Sequence, residues 1–222
     1  DKGAVVTALV EGCFGAGEGH GVVGSDDDQG FIGTPRGLER VEQEADAVGQ
    51  GIAVQVPNYM KEIVAEITGL ARRSPDINQR SGVSVRVSIC NYENMVSNAV
   101  RRAIRTKDNL AVPRVTDLEY LFASTNGKIE LESVEEGREG RVLEELVKKA
   151  CLNSFGRYLN VQDLEPLISQ FDQGYAFDVG EGLTSRAYVK ALARAPQLQT
   201  AVAALKTPED AASIASAVEF VL

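Results

Sequence analysis

An arginine close to a predicted helix start is the residue best suited to chemistry in this chain. Arg86 follows the segment Gly82-Val83-Ser84-Val85, and an amphipathic pattern predicts a helix from about residue 86 to residue 105. A guanidinium carries five N–H donors in a fixed plane that matches phosphate oxygens. At a helix start it can project from the packed helices, so its position predicts contact with a phosphate group. A purely structural salt bridge is the alternative that the spacing leaves open.

Four cations lie close together near the end of the same predicted helix: Arg101, Arg102, Arg105 and Lys107. Cations in the last turns of a helix complement the partial negative charge of its carboxyl end and can remain solvated. The same cluster could instead contact a neighbouring subunit or an anionic ligand. The charge pattern leaves both interpretations open.

A second candidate lies in a glycine-dense stretch near the start of the sequence. The segment from Gly19 to Gly24 matches the Gly-x-Gly-x-x-Gly spacing of dinucleotide-binding loops, and Glu42 and Glu44 follow at about the 20 residues that the motif requires. That motif also needs a helix directly after the loop, whereas residues 25–30 carry three aspartates and cannot open an apolar helix. The sequence therefore favours a flexible loop, and an oxidoreductase is the least supported hypothesis.

The sequence contains few residues that could bind a metal ion or form a histidine-based catalytic site. Asp26, Asp27 and Asp28 supply the oxygen ligands that Ca²⁺ prefers, but the twelfth position of a calcium loop starting at Asp26 is Gly37 rather than glutamate. His20 is the single histidine, which excludes a two-histidine zinc site and a histidine-based triad within these residues. We therefore interpret the aspartates as a solvated acidic loop and predict no metal site.

The composition indicates a folded protein that does not bind nucleic acid. The 222 residues are 44% hydrophobic, enough for one large domain or two small ones with buried cores. A formal charge of −9 would repel phosphates over most of the surface. Three widely spaced cysteines fit a reducing compartment, and no apolar run approaches the ~20 residues that span a bilayer. We therefore expect a cytoplasmic protein without a membrane span.

The elements that would position Arg86 are mainly helices, although residues 1–54 differ from the rest. In that part a β-branched run at 4–10 predicts a strand, residues 12–33 predict a loop, and residues 36–47 predict a short helix.

Residues 55–130 predict three helices joined by short links. The first has Asn58 as its cap, the second begins near Arg86, and the third is opened by a capping box of Thr116 and Glu119. Apolar residues recur along them at steps of three and four, which predicts a compact bundle.

Residues 131–222 predict further helices. Apolar stripes at 140–159 and 161–171 predict two of them, the run at 175–179 predicts a short strand, and two more helices follow. Thr207 and the proline and acidic residues after it open the last helix. That helix ends without a glycine, a proline or a basic turn, so we expect the natural chain to continue beyond it.

Several segments of the chain resemble parts of AAA+ ATPases of the magnesium-chelatase ATPase-subunit type, which are related to the MoxR-like chaperone ATPases. Residues 77–93 resemble the start of the helical lid in that family, and residues 112–118 resemble the link that follows. Residues 123–130 and 217–222 are similar to a bacterial subgroup of magnesium-chelatase-like proteins.

This resemblance is most specific over residues 55–130 and implies a fold and its division. It implies an AAA+ helical lid bundle at 55–130 and a helical carboxy-terminal domain at 131–222. Residues 1–54 would be a short, loop-rich remnant of the α/β core. The predicted fold class is therefore mainly α.

The resemblance also implies a role for Arg86 as the sensor-2 arginine. In that position it would contact the γ-phosphate of ATP, bound with Mg²⁺ between the core and the lid. Arg80 and Arg114 are further candidates for contact with the nucleotide or with a neighbouring subunit. Proteins of this type form homo-oligomeric rings, commonly hexamers, and remodel partners that often carry a von Willebrand A-type domain. The implied function couples ATP binding and hydrolysis to remodelling of a partner protein.

Two departures from the family pattern concern catalysis. The Walker A and Walker B segments that hold ATP and Mg²⁺ are absent from this sequence, so the chain alone is not expected to hydrolyse ATP. Residues 6–15 resemble the segment that carries the arginine finger, but Gly12 takes the place of that arginine. These departures motivate an alternative: a non-catalytic helical adaptor that binds a partner protein through residues 131–222 without nucleotide.

Overall fold

The computed structural model describes residues 51–80, 82–132 and 138–222. The sequence predictions for residues 1–50 lie outside these ranges. They include the dinucleotide-like loop, the acidic loop, the single histidine and the missing arginine finger.

The described part of the chain is mainly helical, which confirms the predicted class. Its α-helices are α1 (Asn58–Ala71), α2 (Val85–Thr106), α3 (Leu121–Thr125), α4 (Arg138–Tyr158), α5 (Glu165–Asp172), α6 (Ser185–Leu192), α7 (Pro196–Ala204) and α8 (Ala211–Val221). Two 3₁₀ helices, Val115–Tyr120 and Val161–Leu164, precede α3 and α5. Two short strands, β1 (Ala53–Val54) and β2 (Leu110–Ala111), pair in parallel. Within the described ranges every helix is too short or too polar to span a bilayer.

Helix α1 forms where the apolar stripe predicts it, and Met60, Ile63 and Ile67 have no exposed surface. Its start differs from the prediction. Pro57, with φ −63° and ψ 148°, precedes the first turn, and Asn58 is already helical. The proline ring holds φ near this value, so the chain enters the helix in a fixed direction without a side-chain cap.

The structure confirms the helix predicted at 86–105, because the bounds of α2 differ from it by one residue at each end. Ser84 caps its start, because the Ser84 hydroxyl oxygen accepts a hydrogen bond from the N–H of Arg86 at 3.2 Å. At the other end, Lys107 adopts a left-handed conformation with φ 57°, which closes the last turn. Both ends are therefore fixed by local interactions.

The predicted capping box of Thr116 and Glu119 is wrong. The 3₁₀ helix begins at Val115, so Arg114 takes the cap position two residues before Thr116, and the carboxylate of Asp117 accepts a hydrogen bond from the N–H of Arg114 at 2.8 Å. Thr116 instead donates to Glu219, far along the chain. A tertiary contact thus replaces the local one that the sequence suggested.

Two predictions for the last part of the chain are also wrong. Residues 175–179 are irregular rather than a strand, because no strand in the described ranges pairs with them. Three helices follow instead of two, since Pro196 lacks an N–H and starts a separate helix. The last helix is capped by Asp210, which accepts from the N–H of Ser213 at 2.8 Å, and not by Thr207.

The buried apolar residues form two cores. The first gathers α1, α2 and α3 with the inner side of α4, including Leu146 and Val147. The second gathers α5, α6 and α7 around Tyr188 and Leu198. Helix α4, placed in the predicted carboxy-terminal domain, therefore packs with the predicted lid helices.

Helix α8 lies between the two cores and belongs to both. Phe220 packs in the first core and stacks on Tyr59, with 4.3 Å between ring centroids. Val218 and Val221 pack in the second core. Burial on both sides explains why α8 is apolar nearly all round, unlike the amphipathic α1 and α2.

We expect Phe220→Ala to lower the free energy of unfolding by about 3–5 kcal/mol, because it empties a buried aromatic site between the cores. Phe122→Ala is the matched control, since Phe122 is 42% exposed. It should cost about 1 kcal/mol or less. Urea denaturation followed by circular dichroism measures both losses. A loss for Phe220→Ala as small as the loss for Phe122→Ala would show that α8 does not stabilise the first core.

Candidate functional site

Arg86 lies at the surface, at the second position of α2. An open depression of about 340 Å³ lies beside this helix start. It is lined by Gly82, Val83, Ser84, Gly127, Lys128 and Glu130. The structure thus gives the predicted site residue an exposed position beside open space.

The charge distribution around this depression includes groups that can attract an anion. The first-turn N–H groups of α2 carry partial positive charge, and Lys128 adds a cation, although Glu130 adds a carboxylate. Gly82 and Gly127 have φ of +70° and +74°, a conformation that costs little only for glycine. Side chains at these two positions would strain the loops that form the depression.

Arg80 is exposed as well and lies in the turn between α1 and α2. Its main-chain N–H donates to Asn78 Oδ1 at 2.9 Å. Gln79 anchors this turn by donating from its side-chain amide to three main-chain carbonyl oxygens. The exposed Arg80 and Arg86 therefore flank the same short segment.

The third predicted site residue, Arg114, is fully buried. Its Nη1 donates to the carbonyl oxygen of Leu183 at 2.9 Å and its Nη2 donates to Ser185 Oγ at 2.8 Å. The guanidinium carbon lies 4.7 Å from the ring centroid of Tyr188. A nucleotide or a neighbouring subunit could reach Arg114 only if helices separated. We therefore assign Arg114 an internal role in place of the surface contact expected from the sequence.

Within the basic cluster, Arg102 is buried rather than solvated, with 2% of its surface exposed. Its Nε and Nη2 donate to the two carboxylate oxygens of Asp117, at 3.2 Å and 2.7 Å, and Nη2 also donates to the carbonyl oxygen of Val112. Burial alone would lower the pKa of Arg102, but the charge and hydrogen bonds of Asp117 outweigh it and raise that pKa. Arg102 lies three positions after the buried Ala99. Residues three apart share one face of a helix, so this spacing was a signal that Arg102 faces the interior.

Two other members of the basic cluster are exposed and make surface contacts. Arg101 lies over the ring of Tyr120, 4.5 Å from its centroid. Arg105 forms an ion pair with Glu181 at 3.1 Å, and both side chains remain more than 40% exposed, at 48% and 42%. The solvated interpretation of the cluster therefore fits Arg101 and Arg105.

Glu219 is a buried carboxylate that sequence reasoning missed. Its Oε2 accepts from the N–H and the hydroxyl of Thr116, at 3.0 Å and 2.9 Å, and its Oε1 accepts from the hydroxyl of Tyr188 at 2.5 Å. Arg114 Nη1 lies 3.8 Å from Oε1. Burial raises the pKa of Glu219, while the charge of Arg114 and these hydrogen bonds oppose the rise.

Arg102, Arg114, Asp117 and Glu219 together form a buried charge network at the junction of the two cores. Two cations face these two carboxylates, and Arg114 Nη2 also lies 3.7 Å from the carboxylate of the partly buried Asp108. The network holds side chains in place and leaves no reactive group open to a substrate. Among the described residues, no three histidine, cysteine or acidic side chains lie together where they could hold a metal ion.

Comparison of the chain with protein-family models, with curated proteins and with solved structures gives no match.

We expect Arg102→Met to lower the free energy of unfolding by about 3–5 kcal/mol, because Asp117 loses its buried counter-charge. Arg105→Met, one turn along the same helix, should cost about 1 kcal/mol or less, because its ion pair is exposed. Urea denaturation of the two variants makes the comparison. Equal small losses would show that the Arg102–Asp117 pair does not hold α2.

The contact between Glu181 and α2 should depend on pH. The hydrogen bond from Arg105 and that from Tyr120 hold the pKa of Glu181 below its ordinary value of 4.5. A carboxyl group with a lowered pKa stabilises the fold above its ordinary pKa and loses this effect as the pH falls through its folded-state value. The Leu183 amide, bonded to the Gly180 carbonyl oxygen at 3.1 Å, reports on this segment.

The Leu183 amide should therefore stay protected from hydrogen exchange, corrected for the intrinsic rate, at neutral pH and lose protection only in acid, below the ordinary glutamate pKa of 4.5. In Glu181→Gln the protection should already be reduced at neutral pH and should change little with acid. A wild-type profile that matches the variant would contradict the contact.

Proposed function

We propose that the described residues form the helical lid and tail of an AAA+ ATPase of the magnesium-chelatase type. In this proposal the protein couples ATP binding and hydrolysis to remodelling of a partner protein, with Arg86 as its sensor-2 arginine. The observation that carries the proposal is the exposed guanidinium in the first turn of α2, beside an open depression. The resemblance of residues 77–93 supports the same role.

The geometry of α2 supports a sensing role. Arg86 stands near one end of this 22-residue helix, while Arg102, near the other end, is held in the buried charge network. A helix of this length spans about 33 Å and moves as a stiff rod. A phosphate that attracts Arg86 would therefore bias the position of the whole helix, and losing that phosphate would release it.

ATP and Mg²⁺ would be held mainly by a nucleotide-binding core rather than by the described residues. Bound Mg²⁺ neutralises charge on the phosphates during transfer of the γ-phosphoryl group. The part that falls to this chain is to present Arg86, and with it Arg80, at the surface that faces the core. Homo-oligomeric rings, commonly hexamers, a partner with a von Willebrand A-type domain and a cytoplasmic location belong to this proposal through the resemblance.

The second proposal is a helical adaptor that binds a partner protein without nucleotide. Within residues 131–222, the part through which the adaptor would bind, Leu152 is a large apolar side chain at the surface, 37% exposed. An adaptor would need surface side chains of this part for its function and would not need Arg86. The two proposals therefore differ in which residues matter.

The test uses the polypeptide that carries both the lid and its nucleotide-binding core. Arg86→Ala should lower the ATP hydrolysis rate or the ATP affinity by about 10- to 100-fold, the loss of one charge-assisted hydrogen bond. Arg86→Lys should give an intermediate loss, because an ammonium lacks the planar pair of donors.

Arg186→Ala is the matched control. Arg186 is exposed and is the second residue of α6, after the capping Thr184, just as Arg86 is the second residue of α2 after Ser84. It should leave hydrolysis and affinity unchanged. If Arg86→Ala behaves like Arg186→Ala while Leu152→Asp abolishes partner binding, the adaptor replaces the ATPase.

A further inference from the structure

The two cores pack on helix α8 from opposite sides, and hydrogen bonds accompany the apolar contacts. On the side of the first core, the hydroxyl of Tyr59 donates to Ser216 Oγ at 2.8 Å. The hydroxyl of Ser216 in turn donates to the carbonyl oxygen of Pro113. Thr116 donates twice to Glu219. Helix α8 is thereby bound to the first core by hydrogen bonds as well as by packing.

A second set of contacts binds α6. The guanidinium of Arg114 donates to Leu183 and Ser185 at the start of this helix, and the hydroxyl of Ser185 donates to Asp108 Oδ2 at 2.8 Å. Tyr188, on the same helix, donates to Glu219 on α8. The network thus joins one short segment, residues 108–117, to two helices of the second core.

Apolar packing and buried hydrogen bonds constrain orientation differently. The hydrophobic effect is non-directional, so buried apolar area by itself constrains the relative orientation of two faces less than directional hydrogen bonds do. A buried charged group loses much of its stabilisation once its partners are misaligned, because no water replaces them. The contacts of Arg114 and Glu219 therefore favour one relative orientation of the two cores over others of similar apolar area.

We infer that the Arg114 and Glu219 contacts act as an orientation lock, which makes residues 159–222 a rigid continuation of helices α1 to α4 rather than a tethered module. A displacement of α2 would then displace the tail by the same rotation. Helix α8 is shared by the two cores, but each core also contains buried apolar residues from its own helices, so without the lock each side can stay folded while their relative orientation varies. This inference does not rest on nucleotide binding.

Residual dipolar couplings of backbone amides test the lock, because they report the orientation and order of each helix. In the wild-type chain a single alignment tensor should fit the amides of α1, α2, α6 and α8. The double variant Arg114→Met, Glu219→Leu removes both charges together. Asp108, which lies 3.7 Å from Arg114 Nη2, keeps its hydrogen bonds from Ser185 and Thr106, so the variant should remain folded. The amides of the two cores should then require separate alignment tensors, while the amides of each core still fit a single tensor well.

The control is Glu66→Leu, Arg157→Met, which removes a surface ion pair at 2.9 Å between α1 and α4, two helices of the first core. It should keep the single tensor. Should the double variant unfold, Thr116→Val removes one donor to Glu219 and should show the same loss of a common tensor in milder form. A wild type that needs two tensors, lock variants that keep one, or a control that loses it would each overturn the inference.

Discussion

Four ionisable side chains buried at one junction are the constraint on which the rest of this structure depends. Taking Arg102, Arg114, Asp117 and Glu219 out of water is costly unless each finds its partners. Their partners come from α2, the segment after β2, α6 and α8, so these elements must be in place together. The network therefore links the packing of both cores to one geometry.

This constraint also explains how an exposed residue can be placed with precision. The Arg102–Asp117 pair holds one end of α2, and the Ser84 cap fixes where the helix begins. The position of the helix that carries Arg86 is therefore set partly by the Arg102–Asp117 pair at its other end. The sensing role proposed for Arg86 would need such support, because a loosely held guanidinium would respond to a phosphate without moving anything else.

Much of the fold can be predicted from local sequence patterns, whereas most contacts of the buried charge network cannot. The stripe that contains Ile63 predicts α1, and the pattern around Arg86 predicts α2 to within a residue at each end. Arg114 and Glu219 could not be predicted, because their partners lie between 31 and 103 positions away. The same holds for the run at 175–179, which has β-branched and aromatic residues but finds no strand to pair with among residues 51–80, 82–132 and 138–222. Of the candidate site, Arg86 and Arg80 have the surface positions expected of them, whereas Arg114 does not.

The most direct test of this account is a structure of the polypeptide that includes the nucleotide-binding core, bound to a non-hydrolysable ATP analogue. The account predicts that a terminal nitrogen of Arg86 lies within about 3 Å of a γ-phosphate oxygen. It also predicts that the contacts between Arg102 and Asp117 and between Arg114 and Ser185 are unchanged. A γ-phosphate bound without Arg86, with its guanidinium turned toward solvent or a carboxylate, would contradict the central claim.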